Sequence, residues 1–290
     1  MKLLNGTCIK EELLKSLEIK VKNLAYHPSF AVIQVGGNKD ANTYIREEEK
    51  MATRLGYRLN KINLDSTITE PELIKIINKL NKDSSIDGIM VQLPLPKTLN
   101  QHSICDAIDY DKDIDGQTSL SAGRLVNNLK TLMPATVKAI LTIINYYQIN
   151  IKEKHIVVLG RSKTTTRPLV NYLLKKDATV TICHTKTKNI KDITRQADIL
   201  ITAIGKPNYI DKSYLKKDVV IIDVGINYLD NHLCGDVLLE DVSKIAKSIT
   251  PVPGGVGPVT VASLAENIYQ KALNKTKWRL EIFIFFSLLI

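Results

Sequence analysis

The residues best placed to do chemistry lie in a few short stretches. One is Gly160-Arg161-Ser162, which follows the apolar run His155 to Leu159 and precedes a helix-forming segment. A strand-to-helix turn of this kind presents backbone N–H groups and the positive end of a helix, a setting that favours a phosphate. Arg161 adds a guanidinium whose paired donors suit a 2′-phosphate. The next strand pattern ends at Cys183-His184-Thr185, with no acidic residue to hold a ribose 2′-hydroxyl. An arginine present and an acid absent together favour NADP over NAD. The GxGxxG fingerprint is missing, since the turn reads GRSKTTTRP. Taken alone, this turn reads equally well as a tight turn with a surface arginine.

Three further stretches are unusual for packing alone. They are Val91-Gln92-Leu93-Pro94-Leu95-Pro96, Asp111-Lys112-Asp113-Ile114-Asp115-Gly116, and Pro251-Val252-Pro253-Gly254-Gly255-Val256-Gly257-Pro258. The glycines of the last permit close backbone approach and positive φ, and Pro258 suits the first turn of a following helix. Each stretch in isolation reads equally as turn chemistry. Cys8, Cys105, Cys183 and Cys234 are far apart and form no CxxC pair, so neither a zinc site nor a disulfide framework is expected. His184 beside Cys183 lacks the further ligands a metal needs, and no metal is expected.

The elements that must position these residues alternate along the chain. A helix is expected near residues 9–24, a strand at Phe30 to Val35, a helix over 41–55, a strand from Tyr57 to Leu64, a helix over 70–82 and a strand from Asp87 to Gln92. The second half continues with a helix from Pro134 to about Tyr147, a strand at His155 to Leu159, a helix from Thr165 to Lys176, and strands at Thr179 to Cys183, Asp198 to Ala203 and Val219 to Val224. Strands separated by helices imply parallel βαβ units. The expected fold is two-domain α/β: an N-terminal three-layer domain, residues 1–133 with 258–281, and a doubly wound Rossmann-type domain, residues 134–257.

Composition bounds the reading without deciding it. The 290 residues carry a net charge of +10, with 44% hydrophobic and 24% charged residues, an ordinary globular balance that leans toward anionic partners. The lysines are scattered and no aromatic-interleaved basic run exists, so a nucleic-acid module is not indicated. Residues 282–290 form an apolar tail too short for the ~20 residues of a membrane span, and its role is open. No secretory signal pattern opens the chain, and a reducing cytoplasm is the expected location.

In their order, VQLPLP, DKDIDG, GRS after a strand, AIGKP, DVGIN and PVPGGVGPVTVA resemble the bifunctional methylenetetrahydrofolate dehydrogenase/methenyltetrahydrofolate cyclohydrolase family, over nearly the whole chain up to about residue 275. The resemblance implies a folate pocket between two domains, NADP on the second, and a homodimer. It implies oxidation of 5,10-methylenetetrahydrofolate to the methenyl form, then hydrolysis to 10-formyltetrahydrofolate. By the same resemblance Tyr44 stacks along the folate ring, Gln92 sits beside the one-carbon bridge, and Asp115 binds the pterin nitrogens. Gly254, Gly255 and Pro258 line the folate site. Gly160, Arg161, Ser162, His184, Thr185 and Ile226 face the cofactor. A carboxylate at Asp115 can accept two N–H bonds from a pterin edge and so fix its orientation.

The chain also departs from that pattern. The family's catalytic lysine lies four residues beyond the tyrosine, and here that position is Glu48. Lys50 is no substitute, being about 200° further round a helix. A serine before the tyrosine has become Ala41, and the glycine of the phosphate turn has become Thr166, a change expected to weaken or reposition NADP. Loss of a cationic donor predicts impaired hydrolysis, whereas hydride transfer, which depends on positioning, should survive. The alternative is a catalytically impaired folate- or nucleotide-binding protein.

Overall fold

The computed structural model describes residues 1–37, 39–230 and 232–287, with side chains at 1–37, 44–230 and 232–276. Ala41 and the apolar tail therefore lie outside the described side chains. In chain order the elements are β1 (Lys2–Leu3), α1 (Gly6–Lys22), β2 (Ser29–Val35), α2 (Lys39–Leu55), β3 (Arg58–Leu64), α3 (Glu70–Lys82), β4 (Gly88–Val91), α4 (Gln101–Asp106), α5 (Ser119–Val126), α6 (Ala135–Tyr146), β5 (His155–Leu159), α7 (Thr166–Lys175), β6 (Thr179–Cys183), α8 (Ile190–Thr194), β7 (Ile199–Thr202), β8 (Val220–Asp223), β9 (Asn227–Leu229), β10 (His232–Cys234), α9 (Leu239–Val242), β11 (Ser248–Ile249) and α10 (Val256–Ser287).

The chain divides into two compact units. One comprises Leu13–Met133 with Val261–Ile290 and holds a three-stranded parallel sheet, ordered β3-β2-β4. All seven residues of β2 are buried, as a strand covered on both faces requires. Ala31 and Ile33 of β2, Ile89 and Val91 of β4 and Leu73 and Ile77 of α3 join one apolar cluster. The chain leaves β2 for β3 on one side and reaches β4 on the other. That reversal opens a crevice at the carboxyl ends of β2 and β4, where ligands bind in open parallel sheets.

The other unit comprises Met1–Glu12 with Pro134–Thr260 and holds a six-stranded sheet, ordered β1-β11-β8-β7-β5-β6. All its pairings are parallel. Here the strand order reverses at β5, so the crevice falls at the turn that follows Leu159. The first twelve residues run with this unit rather than the other because β1 pairs with β11, Lys2 opposite Ser248. Two residues of strand carry no readable periodicity, which is why the sequence alone did not separate them. The helices α4 and α5 and the β9–β10 hairpin are likewise additions to the sequence reading. The last helix, which the sequence pattern places at about Pro258 to Leu273, begins at Val256 and continues to Ser287.

Candidate active site

In the three-stranded unit the four expected crevice residues come from α2 and from the segments after β4. Tyr44 and Glu48 lie four apart on α2, hence on one helix face. Gln92 directly follows β4, its N–H donating to the Ile33 carbonyl at 2.8 Å, so the strand ladder itself fixes where the residue sits. Asp115 is half-buried on the loop that follows.

Two residues that sequence reasoning passed over hold that loop in place. The Gln117 side chain accepts from Val91 N at 3.0 Å and donates to Val91 O at 2.9 Å, pairing with β4 as a neighbouring strand would. Its Nε2 also lies 3.5 Å from Asp115 Oδ2, at the long limit of a hydrogen bond. Asp113, 1% exposed, accepts from Gln117 N at 2.9 Å, Thr118 N at 3.0 Å, Thr118 Oγ1 at 2.9 Å and Ser121 Oγ at 2.6 Å. Asn267 of α10 adds bonds of 2.9 Å to the carbonyls of Ile114 and Met133. The Asp–Gln–Thr–Ser spacing ahead of α5 was a capping signal readable in the sequence, as Thr118 caps Ser121 N. The Gln117 clamp left no local signal, being a contact made across the fold. Asp113→Ala removes one acceptor from four donors and should lower unfolding stability by about 3 kcal/mol. Urea denaturation measures this; an unchanged midpoint would show that the loop is not held by Asp113.

Glu48 is the anomalous member. It is 4% exposed, and its Oε2 is buried without a hydrogen-bond partner. Burial, then the charges of Asp115 and Glu49, push its pKa from the ordinary 4.5 up to about 8. The sequence argument treated Glu48 as a reversed charge. The structure corrects this: at neutral pH the unliganded side chain is mainly the neutral acid, because an unpaired carboxylate cannot be kept in so dry a place. Lys50 pairs with Glu47 at 2.7 Å and is exposed, so it takes no part.

In the six-stranded unit the expected cofactor residues gather at the carboxyl ends of β5, β6 and β8. Gly160 has φ +134°, and a Cβ there would fall 2.6 Å from the Ala203 carbonyl oxygen, so only glycine lets the turn pass this close. Its N–H donates to the Cys183 carbonyl at 2.8 Å, which ties the turn to the end of β6, where His184 and Thr185 follow. Ser162 Oγ accepts from the N–H groups of Thr165 at 3.2 Å and Thr166 at 3.0 Å, capping α7. These two donors are thus satisfied within the turn. Thr166 is 1% exposed and packs toward Gly160 and Ser162. The added side chain is therefore stowed inward. Arg161 and Thr185 are exposed, and His184 is half-buried with Nδ1 accepting from Lys186 N at 3.1 Å. That bond leaves Nε2 as the ring nitrogen free to carry a proton.

Ile226 is half-buried between β8 and β9, in loops organised by two buried carboxylates. Asp223 accepts from Thr202 Oγ1, Gly225 N, Asp236 N and Val237 N. Asp236 accepts from Ile204 N, Lys206 N and Asn227 Nδ2. This lattice explains why AIGKP and DVGIN occur together: the second supplies the acid and amide that, with Asp236, hold the first. Burial and then the Asp236 charge raise the Asp223 pKa to about 6. At the third glycine-rich turn, Gly254 takes φ +102° and accepts from Gly6 N at 2.7 Å, while a Cβ on Gly255 would fall 2.4 Å from the Pro251 carbonyl oxygen. Pro258 lies in the first turn of α10. Among the described residues no group of three His, Cys, Asp or Glu side chains is placed to hold a metal.

The chain is similar to known proteins along most of its length. A family model for the tetrahydrofolate dehydrogenase/cyclohydrolase catalytic domain matches residues 4–115, and one for the NAD(P)-binding domain of the same family matches residues 134–276. The bifunctional protein FolD of Clostridium novyi is 44% identical over 260 residues, 90% of this chain and 94% of that one. The structure of FolD methylenetetrahydrofolate dehydrogenase/cyclohydrolase from Campylobacter jejuni superposes with a TM-score of 0.90 at 38% identity, covering 95% of this chain and 99% of that one. The Trypanosoma brucei enzyme, solved with NADP cofactor and an inhibitor, gives a TM-score of 0.89 at 30% identity, covering 94% and 97%.

Proposed function

The chain belongs to the tetrahydrofolate dehydrogenase/cyclohydrolase family, and we propose that it is one whose dehydrogenase step outruns its hydrolysis. It is an NADP-dependent methylenetetrahydrofolate dehydrogenase. The nucleotide turn fits that cofactor: Gly160 clears the backbone, the exposed Arg161 supplies a fork for a 2′-phosphate, and no carboxylate ends β6 to compete for it. When bound, NADP supplies the hydride acceptor, and the protein's share is orientation.

In this reading Asp115 accepts N–H bonds from the pterin edge, Gln92 lies beside the one-carbon bridge, and Tyr44 lies along the ring. The support is that all three residues sit on structure that cannot shift easily. Gln92 is fixed by β4, Asp115 by the Gln117 and Asp113 contacts, and Tyr44 by α2. In such sites misplacement by about 1 Å already costs on the order of 10²-fold in rate.

The observation that carries the proposal is Glu48. Hydrolysis adds water to the methenyl carbon, and negative charge builds on the attacking oxygen as its proton leaves. A lysine would stabilise that oxygen with a full positive charge, whereas a neutral carboxyl offers one uncharged O–H donor and an ionised one repels it. Oxidation builds positive charge on the one-carbon bridge instead, which a carboxyl tolerates. We also place the protein in the cytoplasm as a homodimer, its four cysteines all being free thiols.

The test is to mix the protein with methylenetetrahydrofolate and NADP, then NAD, and to follow methenyl absorbance. The expected result is methenyl product with NADP that accumulates rather than clearing. Absence of product with either cofactor, alongside intact nucleotide binding, would replace this reading with that of an impaired binding protein.

A further inference from the structure

We propose that the amino-terminal edge of the six-stranded sheet holds a second anion site, one for a multiply phosphorylated small molecule. A cavity of about 500 Å³ opens there, and Lys2, Lys154, Lys216, Lys217 and Lys247 all line it. Its size falls within the roughly 300–1,000 Å³ of small-molecule sites. Its place in the fold separates it from the nucleotide turn. Lys154 precedes β5, and the lining residues Ile199, Val220 and Ser248 are the first residues of β7, β8 and β11. The turn at Gly160 lies at the other end of those strands, roughly 15 Å away at about 3.3 Å per residue.

Recognition at this edge must come from side chains. The strand-start peptides are already paired: Lys2 N with Lys247 O at 2.9 Å, Lys247 N with Val219 O at 2.9 Å, and Val220 N with Asp198 O at 3.0 Å. Helix α6 ends here, and a helix C-terminus would repel an anion. Its last-turn carbonyls are already engaged, however, with Ile143 O accepting from Tyr147 N, Ile144 O from Ile149 N and Asn145 O from Gln148 N.

The charge balance then decides the ligand's sign. Two carboxylates also line the cavity, Asp198 and Asp218. Asp198 is already engaged, by Lys216 Nζ at 2.6 Å and by His155 N at 2.9 Å. That leaves four lysines and one exposed aspartate in the lining. Four ammonium groups round one cavity repel one another, and a polyanion converts that repulsion into binding. All the cations are lysines. Planar carboxylates are best gripped by an arginine fork, whereas compact ammonium charges suit phosphate oxygens approached from several directions. Lys2 is held at the rim, its Nζ 5.0 Å from the centre of the Tyr147 ring. Tyr147, Leu4 and Ile149 add an apolar wall. The shared chemistry is an oligophosphate, either free or carried by a nucleoside.

Calorimetric titration of tripolyphosphate, and in parallel ATP, into protein saturated with NADP tests this. The expected result is saturable one-to-one binding that persists beside NADP. The exposed pair Lys217→Glu/Lys247→Glu should weaken it about tenfold or more, with NADP affinity unchanged. Lys175→Glu/Lys212→Glu makes the same change in net charge at lysines that do not line the cavity and should weaken binding far less, by about twofold at most. Tighter binding of ATP than of tripolyphosphate assigns the apolar wall to a nucleoside; equal binding assigns the site to the phosphates alone. The proposal falls if no saturable binding occurs, if NADP abolishes it, or if both double variants weaken it alike. None of these outcomes depends on the dehydrogenase activity.

Discussion

Glu48→Lys should speed the clearance of methenyltetrahydrofolate by ~10²–10³-fold over the wild type, the range commonly lost when one stabilising donor is removed from an acyl-type transition state. The variant returns a cation to a position four residues from Tyr44, with Asp115 near enough to share its charge. The carboxylate gives the ammonium a partner that the present Glu48 lacks, so burying it there is tolerable where burying a lone charge is not. Stopped-flow decay of methenyl absorbance, corrected for the uncatalysed rate, measures the effect directly. Glu48→Gln is the informative control. It keeps the size and removes the titration, so it should hydrolyse as slowly as the wild type. Dehydrogenase turnover in both variants should stay within about tenfold of the wild type, since that step draws on positioning rather than on the lost donor. Wild-type clearance as fast as that of the lysine variant would mean that Glu48 itself activates water, and the proposed imbalance between the two steps would be wrong.

The sequence foretold the alternation of strands and helices because each buried parallel strand is an unbroken apolar run. Phe30 to Val35 and His155 to Leu159 are examples. It also located the turns, since prolines and glycines mark them chemically. What it could not give was the work of Gln117, Asp223 and Asp236. Each satisfies backbone donors from segments distant in the chain, and no local period announces such a contact. Thr166 shows the same limit in the other direction. As a letter it looked like an obstruction in a phosphate turn; in the fold its side chain is buried beneath that turn. Glu48 was legible as a substitution but not as a charge state. Its identity is local, whereas its protonation depends on how much water and how many other carboxyls surround it.

That protonation has a thermodynamic consequence. In the unfolded chain Glu48 gives up its proton near the ordinary 4.5, while in the fold it keeps it until about 8. Between those values the folded state binds more protons than the unfolded one, so stability falls as pH rises. Below about 4.5 the residue adds no slope, and above about 8 the full penalty of a buried carboxylate is in place. A shift of this size corresponds to a penalty on the order of a few kcal/mol. Asp223, raised from 3.8 to about 6, acts with the same sign, but its window closes near pH 6. The stretch from pH 6 to 8 therefore belongs mainly to Glu48. Glu48→Gln should flatten that stretch and, below about pH 6, leave only the slope that Asp223 supplies. At pH 8–9 the variant should be the more stable protein by a few kcal/mol, and near pH 4 the two should converge. Urea midpoints across pH 4 to 9 provide the measurement. A wild-type profile with no decline above pH 6 would place Glu48 in contact with water or with a cation when folded. Occupancy adds a further arm: a cationic methenyl ligand stabilises the carboxylate, so saturating ligand should release a proton from Glu48 and shrink the difference between wild type and Gln variant.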